Sequence, residues 1–273
     1  MLATSSESTS VMPLPKADKA FYLESGSECS VFEQTWKTRL PLLIKGPTGC
    51  GKTRFVRHMA HRLGLELITV SCNEDTSATD LLGRHLLLGG ETRWTDGPVT
   101  RAVRSGAILY LDEIAEARAD AIVVVHSITD DRRELFLDRT GEALQAGPKF
   151  MVVASYNPGY QRSMRELKPS TRQRFVSLTF DFPNSDKEVE IVRKESDCDV
   201  ATAKALVKIA DKARSLTELS LLDPVSTRLL VDAAKLIAAG LPPRLSGHVA
   251  IAEPISDDPD TVAALKHIID LHL

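Results

Sequence analysis

Residues 46–53 read Gly-Pro-Thr-Gly-Cys-Gly-Lys-Thr, and no other stretch constrains the fold of this chain so tightly. The pattern is G-x-x-x-x-G-K-[ST], a loop that cradles phosphates between a strand and a helix. Gly46, Gly49 and Gly51 let the backbone turn sharply and aim its N–H groups at an anion. Lys52 reaches the β- and γ-phosphates of a nucleotide, and the Thr53 hydroxyl faces Mg²⁺. Pro47, Thr48, Cys50 and Arg54 complete the stretch predicted to line the nucleotide. The flanks agree. Leu42-Leu43-Ile44 suits a buried parallel strand, and residues 53–60 suit a helix whose N-terminus faces the phosphates.

The chain is 273 residues long, enough for one large domain or for one domain and a smaller companion. Its formal net charge of −3 comes with no long basic block, so it lacks the electrostatic footprint of a nucleic-acid binder. No apolar run approaches membrane-spanning length. Cys29, Cys50, Cys72 and Cys198 are scattered, with neither C-x-x-C nor zinc spacing, which reads as reduced thiols in a cytoplasmic protein. Residues 1–18, rich in Ser, Thr and Pro, read as a disordered leader without the apolar core of a signal peptide.

From about residue 20 to 182, short apolar runs alternate with helical or loop segments, the mark of an α/β domain with a mostly parallel sheet. The predicted strands are Leu42–Ile44, Leu67–Ser71, Ala107–Leu111, Phe150–Ser155 and Val176–Phe180. Ala121–Val125 has strand propensity but follows the preceding strand so closely that a helix beside the sheet fits equally; periodicity leaves this open. After Pro183 the chain reads as a smaller all-α domain. Leu206, Ile209, Ala210 and Ala213 share one helical face, a second helix ends at Gly240, and the tail adds one short terminal helix. The predicted division is therefore 19–183 and 184–273. Two inserts stand out, 84–98 with Gly89-Gly90, and 134–146 as a hairpin turning near Thr140-Gly141. Residue types alone fit decoration and working loops equally well.

A second constellation carries chemistry. Ile108-Leu109-Tyr110-Leu111-Asp112-Glu113 is an apolar strand ending in two carboxylates. Behind a phosphate loop, Asp112 would help hold Mg²⁺ beside Thr53 and Glu113 would polarise an attacking water. Asn157 ends the next strand, at the edge where open α/β sheets bind ligands, although Asn-Pro is also an ordinary turn. Arg172 and Arg174 precede the last strand, where a guanidinium either stabilises charge on a transferring phosphoryl group supplied by a neighbouring subunit or belongs to a solvated basic patch. Arg228 opens the apolar helix of the second domain and either bridges that domain to the γ-phosphate or is a surface arginine.

Phosphate loop, Asp-Glu strand, strand-end Asn, late Arg-Phe and helical-domain Arg, in this order, resemble an AAA+ ATPase. Finer stretches (46–57, 88–92, Asp96-Gly97-Pro98, 110–113, 129–133, 155–161 and 167–175) closely resemble the CbbQ/NirQ/NorQ branch of the MoxR group, over roughly residues 20–240. The resemblance implies a P-loop AAA+ core followed by an all-α lid, hexameric rings, and ATP with Mg²⁺ bound between subunits. It implies Lys52 and Thr53 as Walker A, Asp112 and Glu113 as Walker B, Asn157 as sensor 1, Arg174 with Arg172 as rival or helper for a trans-acting finger, and Arg228 as sensor 2. It makes 84–98 a helix-2 insert and 134–146 a pre-sensor hairpin, both on the pore or substrate side. Pro224-Val225-Ser226-Thr227 departs from the Gly-Ala-Ser often found before the sensor-2 arginine. The CbbQ type is nearest in length and motif order, which implies a motor working with a von Willebrand factor A-domain adaptor, CbbO, to release inhibitory sugar phosphates from Rubisco. The alternatives are activation of nitric oxide or nitrite reductase, or a gas-vesicle-type assembly role.

Overall fold

A computed structural model of the chain describes residues 20–158, 167–216 and 224–273. The predicted leader, the first residue of the predicted α/β domain, and Gly159-Tyr160-Gln161 lie outside the described residues. Helix α1 (Glu28–Lys37) precedes strand β1 (Leu42–Lys45), the phosphate loop and α2 (Lys52–Leu63). There follow β2 (Leu67–Ser71), α3 (Ala78–Leu82), an antiparallel hairpin of β3 (Gly83–Leu88) and β4 (Glu91–Asp96), α4 (Pro98–Ser105) and β5 (Ile108–Asp112). After a short 3₁₀ turn come α5 (Ala119–Thr129), a second hairpin of β6 (Glu134–Leu137) and β7 (Glu142–Gln145), β8 (Met151–Tyr156), α6 (Pro169–Arg172) and β9 (Val176–Thr179).

The sheet runs β2-β5-β8-β1-β9, all parallel, with Leu42 opposite both Val153 and Val176. Successive side chains on a strand point to opposite faces, and here both faces are covered. Leu42, Ile44, Ile108, Tyr110, Met151 and Val153 pack against Phe32 of α1 and Phe55, Val56 and Met59 of α2. Leu43, Leu109, Leu111, Val152 and Ala154 pack against α3, α4 and α5. Double burial explains why these strands read as continuous apolar runs.

The structure resolves Ala121–Val125 as helix. A parallel strand beside β5 would need a crossover of a dozen or more residues, and too few separate Asp112 from Ala121. Ala121, Val125 and Ile128 form the buried stripe of α5, and Val123 faces outward at 64% exposure. Two predicted strands are shifted by one residue. β5 runs to Asp112 and β8 to Tyr156, which carries the first carboxylate onto the end of the strand. β9 stops at Thr179, one residue short.

The C-terminal region is all-helical: α7 (Ser185–Ser196), α8 (Val200–Ser215), α9 (Thr227–Ala238), α10 (Pro243–Gly247) running through a π-turn into α11 (Glu253–Ile255), and α12 (Pro259–His272). Asn184, Asp199 and Asp258 cap α7, α8 and α12 by accepting from Lys187, Thr202 and Thr261 backbone N–H groups. Leu206, Ile209, Ala210 and Ala213 are buried as the periodicity predicts, joined by Leu230, Ile251, Leu265 and Ile269. The single short terminal helix is corrected to two helical stretches. Pro243 sits at the first turn of α10, where proline is tolerated because no N–H is needed there. No helix among the described residues is long and apolar enough to cross a membrane.

Candidate functional site: a nucleotide cleft at the carboxyl edge of the sheet

The phosphate loop leaves β1 and enters α2 with Gly49 at φ +73° and Gly51 at φ +100°, left-handed values that suit glycine. A Cβ on Gly46 would stand 2.5 Å from the carbonyl oxygen of Phe180, and one on Gly49 would stand 2.5 Å from Ser226 Cβ. The loop therefore touches both the segment leaving β9 and the start of α9. Lys52 is buried, and its ammonium donates to the carbonyls of Gly46 at 2.8 Å and Pro47 at 3.0 Å.

Asp112 ends β5 directly beside this loop. Its Oδ2 accepts from Thr53 Oγ1 at 3.0 Å, and its Oδ1 accepts from Tyr110 Oη at 2.8 Å and Ser155 Oγ at 2.6 Å. Burial, reinforced by the Asp112 charge, pushes the Tyr110 phenol far up, so it stays protonated and able to donate. Glu113 turns the chain with φ +55°, and its N–H donates to Ser155 Oγ at 3.3 Å. Asn157 follows β8 and reaches across to the loop, its Nδ2 donating to Thr48 Oγ1 at 3.3 Å.

A cavity of ≈ 910 Å³ opens between the phosphate loop, the end of β5 and the helical region, and Asn157 does not line it. Thr48 to Arg54, Asp112 and Glu113 form one wall, and Glu195 of α7 with Arg228 and Lys235 of α9 form the other. Arg54 pairs with Glu195 across the cleft. The N-terminal segment also lines it. Tyr22 donates to Glu28 at 2.8 Å, and its ring lies 5.1 Å from that of Phe55. The volume suits a small-molecule ligand (sites run roughly 300–1,000 Å³). The Thr53 hydroxyl beside the Asp112 carboxylate is a hard-oxygen pair, which fits Mg²⁺, an ion that completes its shell with water and phosphate oxygens.

Arg228 thus joins Lys52, Thr53, Asp112 and Glu113 at one cavity. Arg172 and Arg174 do not line it. They lie before Val176, which pairs with Leu42 at the amino edge of the sheet, whereas the cavity is at the carboxyl edge. Arg174 donates to Asp130 Oδ1 at 2.7 Å and to the Ser170 carbonyl at 2.7 Å. The cysteines are free thiols, all buried. Burial raises Cys50 and, with the nearby carboxylates of Asp112 and Glu113, pushes Cys72 up to about 12, so neither is an activated nucleophile.

Sequence reasoning gave Tyr110 and Ser155 no role, nor Tyr22. For Tyr110 a signal existed: two-residue alternation puts it on the same face of β5 as Asp112. Linking Ser155 to them needed the β5–β8 register.

Residues 41–175 match the profile of an AAA domain of the dynein-related subfamily, and residues 188–272 match the CbbQ/NirQ/NorQ C-terminal profile. The denitrification regulatory protein NirQ of Pseudomonas aeruginosa is 56% identical over 93% of this chain and 97% of its own. Protein NorQ of Paracoccus denitrificans is 56% identical over 92% and 93%. Protein CbbQ of Hydrogenophilus thermoluteolus is 52% identical over 90% and 92%. A solved point mutant of Thermotoga maritima RuvB superposes with a TM-score of 0.56 over 94% of this chain and 73% of that one, at 18% identity, a likeness of fold alone.

Proposed function

The chain belongs to the CbbQ/NirQ/NorQ family of MoxR-group AAA+ ATPases, and from that premise we propose that it is a cytoplasmic protein-remodelling motor working as a hexameric ring. It hydrolyses ATP and uses Mg²⁺. The observation that carries the ring reading is the division of the site. The phosphate loop, Asp112, Glu113 and Arg228 share one cavity at the carboxyl edge, while Arg172 and Arg174 stand at the amino edge of the same sheet. About four residues of strand, roughly 13 Å at 3.3 Å per residue, separate them. An arginine so placed serves a neighbour's nucleotide and not its own.

In this reading the loop amides and Lys52 grip the β- and γ-phosphates, and Lys52 exchanges its bonds to the Gly46 and Pro47 carbonyls for phosphate oxygens. Thr53 and Asp112 hold Mg²⁺, which when bound neutralises charge on those phosphates. Glu113 takes the proton of the attacking water. Asn157, tethered to Thr48, orients that water or touches the γ-phosphate. Arg228 reports phosphate state to the helical region, and Arg174, with Arg172 as rival or helper, completes the site from the adjacent subunit.

For the target, the first reading is a denitrification enzyme, nitric oxide or nitrite reductase, supported by the NirQ and NorQ relatives at 56%; the CbbQ relative stands about as near, at 52%. Rubisco activation through a CbbO-like von Willebrand factor A-domain adaptor is the second reading, supported by the CbbQ relative. Both enter one test. The purified ring, its adaptor and ATP are incubated in parallel with unactivated nitric oxide or nitrite reductase and with sugar-phosphate-inhibited Rubisco. The expected result is recovered turnover in the reductase arm, abolished by Glu113→Gln. Recovery in the Rubisco arm alone reassigns the target. Sustained ATP hydrolysis with recovery in neither arm would refute remodelling of these targets.

A further inference from the structure

Two hydroxyls beneath the metal-binding pair have no part in the mechanism so far. Tyr110 and Ser155 are both 0% exposed, on adjacent strands, and both bond the same carboxylate oxygen. A terminal carboxylate rotor is broad and roughly two-fold, so Asp112 at the open edge of a sheet has no preferred face of its own. Here Oδ1 accepts two hydrogen bonds, 2.8 and 2.6 Å long, and Oδ2 is left toward Thr53 Oγ1 at 3.0 Å. Ser155 is engaged in both directions. Its one proton goes to Asp112, and its oxygen accepts the Glu113 N–H at 3.3 Å. A single hydroxyl thereby ties the metal carboxylate to the backbone of the residue that bears the water-activating carboxylate, at a left-handed turn of φ +55°.

We infer that Tyr110 and Ser155 are positioning residues: they lock the Asp112 carboxylate so that Oδ2 is presented beside Thr53 to the metal, and Ser155 also fixes the turn that carries Glu113. Neither lines the cavity. The inference rests on the reading of Asp112 as a Mg²⁺ carboxylate. It follows the general behaviour of metal sites, in which partners behind a ligating carboxylate set affinity and their loss costs about 10–100-fold.

The test is binding, in the full-length protein. Affinity for the non-hydrolysable analogue AMP-PNP is measured by calorimetry in EDTA and across a Mg²⁺ titration, for wild type, Ser155→Ala, Tyr110→Phe, the double variant and Asp112→Asn. In EDTA the first three variants should bind like wild type, because the loop backbone and Lys52 are untouched and Tyr110→Phe gives up only a long contact, 3.3 Å, to the Thr53 hydroxyl. The Mg²⁺ concentration giving half the enhancement should rise about 10-fold for each single variant and toward 100-fold for the double. Their ATPase rates should recover as Mg²⁺ is raised, which a loss of packing would not allow. Tyr110→Phe keeps the ring volume and guards against a folding artefact at Ser155. The inference falls if the Mg²⁺ midpoint stays at the wild-type value while Asp112→Asn shifts it. It falls equally if binding in EDTA drops by the same factor as binding in Mg²⁺, the mark of a merely structural role. If Asp112→Asn also leaves the midpoint unmoved, the metal-site reading itself is wrong and the inference goes with it.

Discussion

A single methyl group at Gly49 meets two independent obstacles. The backbone is left-handed there, at φ +73°, and the added carbon would lie 2.5 Å from Ser226 Cβ and 2.7 Å from its Oγ. Gly51, two residues on, is also left-handed at φ +100°, but a methyl there meets nothing within 4 Å. The pair separates strain from collision. Both alanine variants should lose about 1–2 kcal/mol to the left-handed conformation. Gly49→Ala should lose about 1–3 kcal/mol more, because the start of α9 must move. Since Arg228 rides on that start, the ATP affinity of Gly49→Ala should drop further than that of Gly51→Ala. Urea denaturation with and without ATP reads both quantities, and equal losses would show that the loop does not bear on α9. The phosphate loop was legible in the sequence because its chemistry is local and its spacing fixed, and so were the residue types of Asp112 and Glu113. The partners of Asp112 were not. Ser155 stands 43 positions away, and only the pairing of β5 with β8 brings them together. The sequence likewise had no means of telling Arg172 from Arg174. The structure separates their surroundings, since Arg174 is held by Asp130 and the Ser170 carbonyl.

Helices α7, α8 and α9 meet at a buried charge. Glu188, with its side chain 0% exposed, accepts two bonds from Arg214 at 2.8 Å each and one from Thr227 Oγ1 at 2.5 Å. Arg214 also donates to the Val225 carbonyl at 2.8 Å and stacks 4.0 Å over the Phe182 ring, next to the segment leaving the sheet. Removing one partner of such a pair leaves an uncompensated buried charge, at about 3–5 kcal/mol, whereas replacing both by apolar groups of similar volume is often close to neutral. Arg214→Met should therefore destabilise the protein by about 3–5 kcal/mol in urea, and Glu188→Leu combined with Arg214→Met should recover a large part of that loss. Additive losses would mean that the two side chains act separately. Such a pair is hidden in a sequence: 26 residues apart, each side chain reads as an ordinary surface charge. The helices themselves were legible from periodicity, and Leu206, Ile209, Ala210 and Ala213 are buried as that stripe required. Two elements were less legible for opposite reasons. The valines of α5 have strand propensity, and chain length overrides it. Past the end of α9, Pro243 begins a further helix, α10, that no apolar stripe announced.

At the scale of the molecule, the parallel sheet has two ends with different duties. The five strands are parallel, so their carboxyl ends share one edge, where Lys45, Asp112 and Tyr156 lead directly into the phosphate loop, Glu113 and Asn157. Arg172 and Arg174 enter β9 from the other end, and the proposed shared site would be completed by head-to-tail contact between copies. The proposal of a shared site therefore predicts complementation. Arg174→Ala should assemble into rings and lose ATPase activity by about 10³-fold or more, the scale of a trans-acting arginine. Lys52→Ala should also assemble and be inactive, through loss of its own phosphate grip. In a 1:1 mixture, an interface works when an Arg174→Ala subunit supplies the phosphate loop and a Lys52→Ala subunit supplies the arginine. Random mixing around a closed ring makes that about one interface in four, so the mixture of two dead proteins should regain about a quarter of the wild-type rate per site. Repeating the mixture with Arg172→Ala in place of Arg174→Ala identifies which arginine is supplied in trans, because only the true finger shows both the deep loss and the recovery. Native mass spectrometry establishes that the rings are mixed. Mixed rings that stay inactive with either arginine variant would place the completing arginine elsewhere, and Arg228, inside the cleft of its own subunit, would then be the group to remove next.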